Sequence, residues 1–116
     1  MKKDLKDRTK KFALTVIDMD ENIPNKPAGN VIKWQLLKSS TSIGANYRSA
    51  LRGRSKAEFI SKIGIVEEEA DETVFWLELL HDSGLVHQSL INPLLDEANQ
   101  LTAILTSMGK TAKTTK

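Results

Sequence analysis

Apolar residues recur at helical spacing in four stretches of the chain. Leu5, Phe12, Val16 and Met19 form one stripe and predict a helix over about residues 4–19. The segment from Asn22 to Gly29 ends it, because Pro24 and Pro27 each remove a backbone donor and restrain the residue before them. Residues 28–52 carry two adjacent stripes. Ile32, Leu36, Ile43, Tyr47 and Ala50 are apolar, whereas Gln35, Ser39, Ser42, Asn46 and Ser49 are small or amide-bearing. Small residues let another helix come close, and the amides of Gln35 and Asn46 need hydrogen-bond partners if buried. Over residues 56–82, Phe59, Ile63, Val66, Ala70, Thr73, Leu77 and Leu80 alternate by fours and threes, the seam of a bundle helix. Ser83 and Gly84 stop it. Ile91, Leu94, Leu95, Ala98, Leu101, Leu105 and Met108 give a fourth helix over about residues 89–108, with Pro93 expected near its first turn.

The corner from Arg52 to Glu58 is the sharpest local signal. Gly53 is suited to the left-handed conformation that ends a helix, and Ser55 with Glu58 three residues on reads as a capping box. So short a turn makes the second and third helices antiparallel neighbours. With no strand signal and short loops throughout, the expected fold is all-α, an antiparallel up-down-up-down four-helix bundle over residues 1–109. A flexible basic tail is expected over residues 110–116.

A chain of 116 residues fits one domain, and 40% hydrophobic with 28% charged residues suits an aliphatic helical core. There is no cysteine, which excludes disulfides, thiolate metal sites and thiol catalysis. No apolar run follows the N-terminal lysines, and no stretch approaches the roughly 20 apolar residues of a spanning helix. These features lead us to expect a soluble, cytoplasmic protein with no membrane role.

Catalytic patterns are sparse. A di-metal bundle site needs inward carboxylates on four helices and two Glu-x-x-His pairs. The chain has one such pair, Glu78 to His81, and its second helix carries no acid. His81 and His87 stand six residues apart, which is not a same-face spacing, and no serine and carboxylate complete a triad. Phosphate-cradling glycine motifs are absent from the sequence. We therefore expect no enzymatic activity, no cofactor, no metal and no small-molecule substrate.

Charge is what changes the picture. The net charge is only +2, yet residues 23–57 hold seven basic side chains and no acid, while residues 58–82 hold eight acids and one lysine, Lys62. Arg48, Arg52, Arg54 and Lys56 surround one corner with only Glu58 nearby. In an antiparallel hairpin centred near Gly53, the acids from Glu67 onward lie opposite Lys38 and Ser39 instead. Arginine forks suit phosphate, and they suit carboxylates of another subunit, such as Glu68, Asp71 or Glu72, equally well. Glu67 lies beside Ile60, Ile63, Ala70 and Val74 on the helix surface, so its carboxylate borders the core. A buried carboxylate needs a partner, for which Arg48, Asn46 or a neighbouring subunit are candidates. Ile65, Trp76 and Leu79 fall on the outer side of the third helix, and clustered exposed apolar groups mark interfaces.

The stretch from Gln35 to Arg48, followed by Arg52-Gly53-Arg54-Ser55-Lys56-Ala57-Glu58-Phe59 and by Gly64 to Glu72, resembles the bacterial four-helix bundle proteins of the 23S rRNA intervening-sequence type. The match covers about two-thirds of the chain closely. Glu72 falls on that family's third-helix glutamate, whereas its usual second-helix glutamate is Ser49 here. Some members are encoded inside inserts in large-subunit rRNA genes. Related proteins are accessory factors of diversity-generating retroelements and look like barrel-shaped homopentamers. No enzymatic activity is attached to the family. The resemblance thus implies a homo-oligomeric, non-enzymatic scaffold, pentameric by analogy, in contact with structured RNA or a ribonucleoprotein. The alternative is a protein-protein adaptor whose charged helices serve self-assembly alone.

Overall fold

The computed structural model describes residues 2–115, with side chains from Asp4 onward; Met1 and Lys116 lie outside the described residues. Four helices carry the fold: α1 (Lys2–Met19), α2 (Pro27–Leu51), α3 (Lys56–Ser83) and α4 (Gln88–Thr114). A single 3-10 turn, Asp20–Asn22, follows α1. Among the described residues there is no strand. At 1.5 Å per residue the 28 residues of α3 span about 42 Å, and the molecule measures 49 × 20 × 19 Å, a rod four helices in cross-section.

Successive helices run antiparallel, and specific contacts fix their register. Gly29 at the start of α2 abuts Pro24 just after α1, while Gly44 further along α2 meets Thr9 of α1. Ser39 of α2 is hydrogen-bonded to Thr73 of α3, while Gly53 beyond the end of α2 touches Glu58 and Phe59 at the start of α3. Gly109 near the end of α4 packs on Ile63 and Glu67 in the first half of α3. α1 meets α4 along the least extensive of the four seams. A bidentate clamp holds it: Arg8 Nε and Nη2 donate to the two Glu97 carboxylate oxygens at 2.6 and 2.8 Å, and Nη2 also reaches Gln100 Oε1 at 2.9 Å.

The core is the aliphatic interior that the periodicity predicts. Leu5, Phe12, Val16, Leu36, Ile43, Tyr47, Ile63, Val66, Leu77, Leu80, Ile91, Leu101 and Leu105 are all buried. Thr9, Ser39, Ser40 and Thr73 are buried with them. Their hydroxyls bond to carbonyls of the preceding turn, which lets polar groups sit where helices approach closely.

Four local expectations are corrected. Gly53 does not adopt the left-handed conformation. α2 ends with Arg52 at φ −96°, ψ 6°, and its last turn tightens as Arg52 and Gly53 N–H donate to Ser49 and Ala50 carbonyls. What position 53 requires is space, since a β-carbon there would stand 3.1 Å from the Ala50 carbonyl oxygen and 3.3 Å from Phe59 N. The left-handed glycine is Gly84, φ 70°, which caps α3. The capping box is half made: Ser55 Oγ accepts the Glu58 N–H at 3.1 Å, but the Glu58 side chain makes no return bond. Pro93 sits in the second turn of α4, not the first, because the helix already starts at Gln88. There His87 Nδ1 accepts the Ser89 N–H at 3.1 Å and acts as the cap. Finally, the bundle does not end at residue 109. α4 continues to Thr114, held at Gly109 by burial against α3.

Candidate nucleic-acid and assembly surfaces

The basic corner lies at the end of the rod where α2 turns into α3. Arg48 and Arg52 stand four residues apart on α2, so they share one face. With Ala45 and Ser49 they line a shallow open groove of 370 Å³. Arg54 in the turn and Lys56 at the start of α3 flank it, and all four side chains are exposed. None of the four forms an ion pair with an acid among the described residues. Arg48 also sits in the last turn of α2, where a cation is favoured by the helix dipole. The corner therefore carries positive charge that the chain itself does not neutralise, in side chains free to adapt to phosphate oxygens.

Apart from Glu58 in the first turn of α3, the acids of that helix, from Glu67 onward, are separated from that corner along the rod. Lys38 is close enough to Glu69 for its charge to be felt there, and Ser39 Oγ lies 2.9 Å from Thr73 Oγ1. The acidic stretch of α3 is thus level with the middle of α2, as the hairpin register predicts. Glu69 is half-buried, and that burial raises its carboxyl above the ordinary range. Repulsion from Glu72 and Glu68 adds to the rise, and the Lys38 charge opposes it.

The structure distributes the buried-polar candidates differently from one another. Asn46 is satisfied within its own helix, donating from Nδ2 to the Ser42 carbonyl at 3.0 Å. Gln35 is half-buried on the same side of α2, in line with Ser39. Asp71 and Glu72 are exposed, and Glu72 Oε1 accepts the Trp76 indole N–H at 3.2 Å. Glu67 borders the core, but neither Arg48 nor Asn46 is its partner. It points to the other side of α3, where its carboxylate rests against Gly109 of α4. Sequence spacing places Glu67 beside core residues on its own helix but does not say which neighbouring helix that side meets.

Exposed apolar side chains also differ from expectation. Ile65 is exposed, whereas Trp76 and Leu79 are half-buried against the core. The exposed aromatics are Trp34, 67% accessible, and Phe75, 50% accessible. Val31 stands one turn from Trp34 on the same side of α2. Trp34 interrupts no stripe, and an apolar residue lying outside the core pattern was the signal available to find it. A second apolar surface is an open groove of 670 Å³ on α3 and α4, lined chiefly by Phe59, Ile104, Met108 and Ala112.

Other chemistry is thin. Among the described residues, no three His, Asp or Glu side chains gather in a group that could hold a metal ion. No helix there is long and apolar enough to cross a membrane. Tyr47 is fully buried, and among the described residues its hydroxyl has no hydrogen-bond partner; burial raises its pKa, making it a weaker acid.

Comparison with known proteins places this chain in a family. Residues 2–107 match the model of the 23S rRNA-intervening sequence protein, and the chain belongs to that family. Among solved structures it is similar to a protein with unknown function from the S23 ribosomal protein family from Bacteroides thetaiotaomicron. The two share 33% identity and a TM-score of 0.85 over 95% of this chain and 99% of that one. No match is found among curated proteins.

Proposed function

We propose that this protein is a non-enzymatic homo-oligomeric scaffold, pentameric by resemblance, that presents its basic corner to structured RNA or a ribonucleoprotein in the cytoplasm. The observation that carries the reading is the uncompensated charge of Arg48, Arg52, Arg54 and Lys56 at one end of the rod. Membership of a family named for an rRNA intervening sequence is in keeping with it. Each site is small and reads no bases, so its affinity for one phosphate cluster is modest; repetition around an oligomer raises it by avidity.

The test is retention of structured RNA as a function of salt. Neutralising phosphates releases counterions, so binding should weaken steeply between about 50 and 200 mM salt. Changing Arg52 and Arg54 together to glutamine should abolish retention and leave the oligomer intact. No retention by the wild-type protein at about 50 mM salt, where phosphate contacts are strongest, removes the nucleic-acid role. The reading that then stands is an adaptor that binds protein alone, to which the apolar groove at Phe59, Ile104 and Met108 gives specific support.

A further inference from the structure

We infer that the outer stripe of α2 in one copy docks on the outer stripe of α3 in the next copy, at the same height along the rod and with the bundle axes parallel. This rests on the homo-oligomeric reading above and gives it a specific contact.

The argument is one of register. Within the chain, Lys38 is level with the neighbourhood of Glu69, Ser39 with Thr73, and Gly53 with Glu58 and Phe59. Each step forward along α2 is therefore a step back along α3. On the scale of the Ser39–Thr73 and Gly53–Phe59 contacts, Trp34, Lys38 and Ala45 stand level with Glu78, Val74 and Glu67. Phe75 and Trp76, Asp71 and Glu72, and Ile65 therefore each lie within about three residues, roughly 4 Å, of level and within side-chain reach. Trp34, Lys38 and Ala45 lie on one exposed stripe of α2, and Ile65, Glu72 and Phe75 on the exposed side of α3.

Two rods placed side by side at equal height bring these levels together across the gap. The 67%-accessible Trp34 meets the Phe75–Trp76 pair, whose rings already pack edge-on at 5.0 Å. The Lys38 ammonium meets the Asp71 and Glu72 carboxylates, which have no other cation at their level on α2. The small Ala45 leaves room for Ile65, 43% accessible. Apolar, charged and small-to-large pairings thus fall within reach at once. Exposed apolar residues interleaved with complementary charge are the usual composition of an interface.

The contact joins two different surfaces. Each copy keeps a free α3 stripe on one side and a free α2 stripe on the other, so the contact repeats and closes into a ring. Arg48 and Ser49 border Ala45 at the lower edge of the contact, while Arg52, Arg54 and Lys56 lie further toward the end of the rod, beyond it. The acids of a neighbour are therefore answered by Lys38, and the basic corner is left open at one rim of the assembly.

Reversing one charge at a time tests this in trans. Lys38→Glu and Glu72→Lys should each weaken self-association by at least tenfold in sedimentation velocity. Mixing the two variants should restore the contact between unlike chains, read as mixed species larger than either variant forms alone. A five-membered ring cannot alternate two chains throughout, so the mixture need not rebuild the wild-type ring, and a pairing inside one chain would not be rescued by mixing. Trp34→Ala should also weaken association by tenfold or more while leaving helix content unchanged, since the side chain is exposed within its own chain. A wild-type chain that sediments at 12.9 kDa across micromolar concentrations overturns the oligomer reading and this contact with it. A wild-type oligomer that survives both charge reversals and Trp34→Ala overturns this contact alone. So does a mixture of the two dissociated variants in which no mixed species forms.

Discussion

Gly29 of α2 lies against the carbonyl oxygen of Pro24, in the space where any other residue would carry its β-carbon. The obstacle is backbone in a turn built by two prolines, and it cannot move aside. Alanine normally stabilises a helix over glycine by roughly 1 kcal/mol. At position 29 the sign should reverse, with a loss of about 1–3 kcal/mol from overpacking. Gly109 is the internal control. A β-carbon there meets the Glu67 carboxylate, the far end of a flexible side chain that can swing into solvent. Gly109→Ala should be neutral or stabilising. Urea denaturation of the two variants checks the contrast, and equal effects would refute it.

Ser39 and Thr73 bridge α2 and α3 through a hydroxyl pair 2.9 Å apart in the buried interior. Thr73 Oγ1 is also 2.8 Å from the Glu69 carbonyl oxygen. Replacing Thr73 by valine should cost about 1–3 kcal/mol, the usual penalty when a buried polar group loses its partner. Adding Ser39→Ala should cost less than the sum of the two single changes, because the orphaned hydroxyl goes too. A double-mutant cycle with no coupling energy would remove the pair from the account of the α2–α3 seam.

Arg8 and Glu97 hold the weakest seam of the bundle with two charge-assisted hydrogen bonds. The Glu97 hydrogen bond and charge hold the guanidinium's proton more tightly, raising its pKa against the opposing effect of burial. Both side chains keep about a third of their surface in water, so the pair contributes on the order of 1 kcal/mol or less. Glu97→Ala should lower stability by that amount and speed amide exchange in α1 more than in α3. Exchange that rises equally in all four helices would show that α1 does not open separately.

Glu69 gives the pH dependence a definite sign. Burial, then Glu72 and Glu68, push its carboxyl above the unfolded value, so the folded chain holds that proton more tightly. The stability this group contributes is complete below the unfolded carboxylate range and is lost as pH rises through the raised folded value. Ionised Glu69 is therefore a burden at neutral pH. Glu69→Gln should raise the melting temperature at pH 7, with the advantage shrinking as the solution is acidified through the carboxylate range. An advantage that is constant with pH would show that charge is not its cause.

The sequence by itself determined where the helices lie and which of their residues form the core. Periodicity is a local property: an apolar side chain every three or four positions makes a stripe whatever lies around it, and Leu36, Ile43, Ile63, Leu77 and Leu101 are buried as their spacing requires. The opposition of a basic α2 and an acidic α3 was legible for the same reason, because the short turn at Gly53 fixes the register of two neighbouring helices. The tertiary structure decided what depends on contacts between distant segments. It placed the left-handed cap at Gly84 and gave Gly53 the task of close approach, since the Ala50 carbonyl and the Phe59 backbone nitrogen crowd position 53. It carried α4 past Gly109, because a glycine that sequence reads as a stop is held in the helix by burial against Ile63 and Glu67. It turned Glu67 toward α4 and away from Arg48, and it covered Trp76 while leaving Trp34 in solvent. A stripe on one helix defines an inward direction but not which neighbour stands to either side of it, and that choice settles which flanking residues are covered.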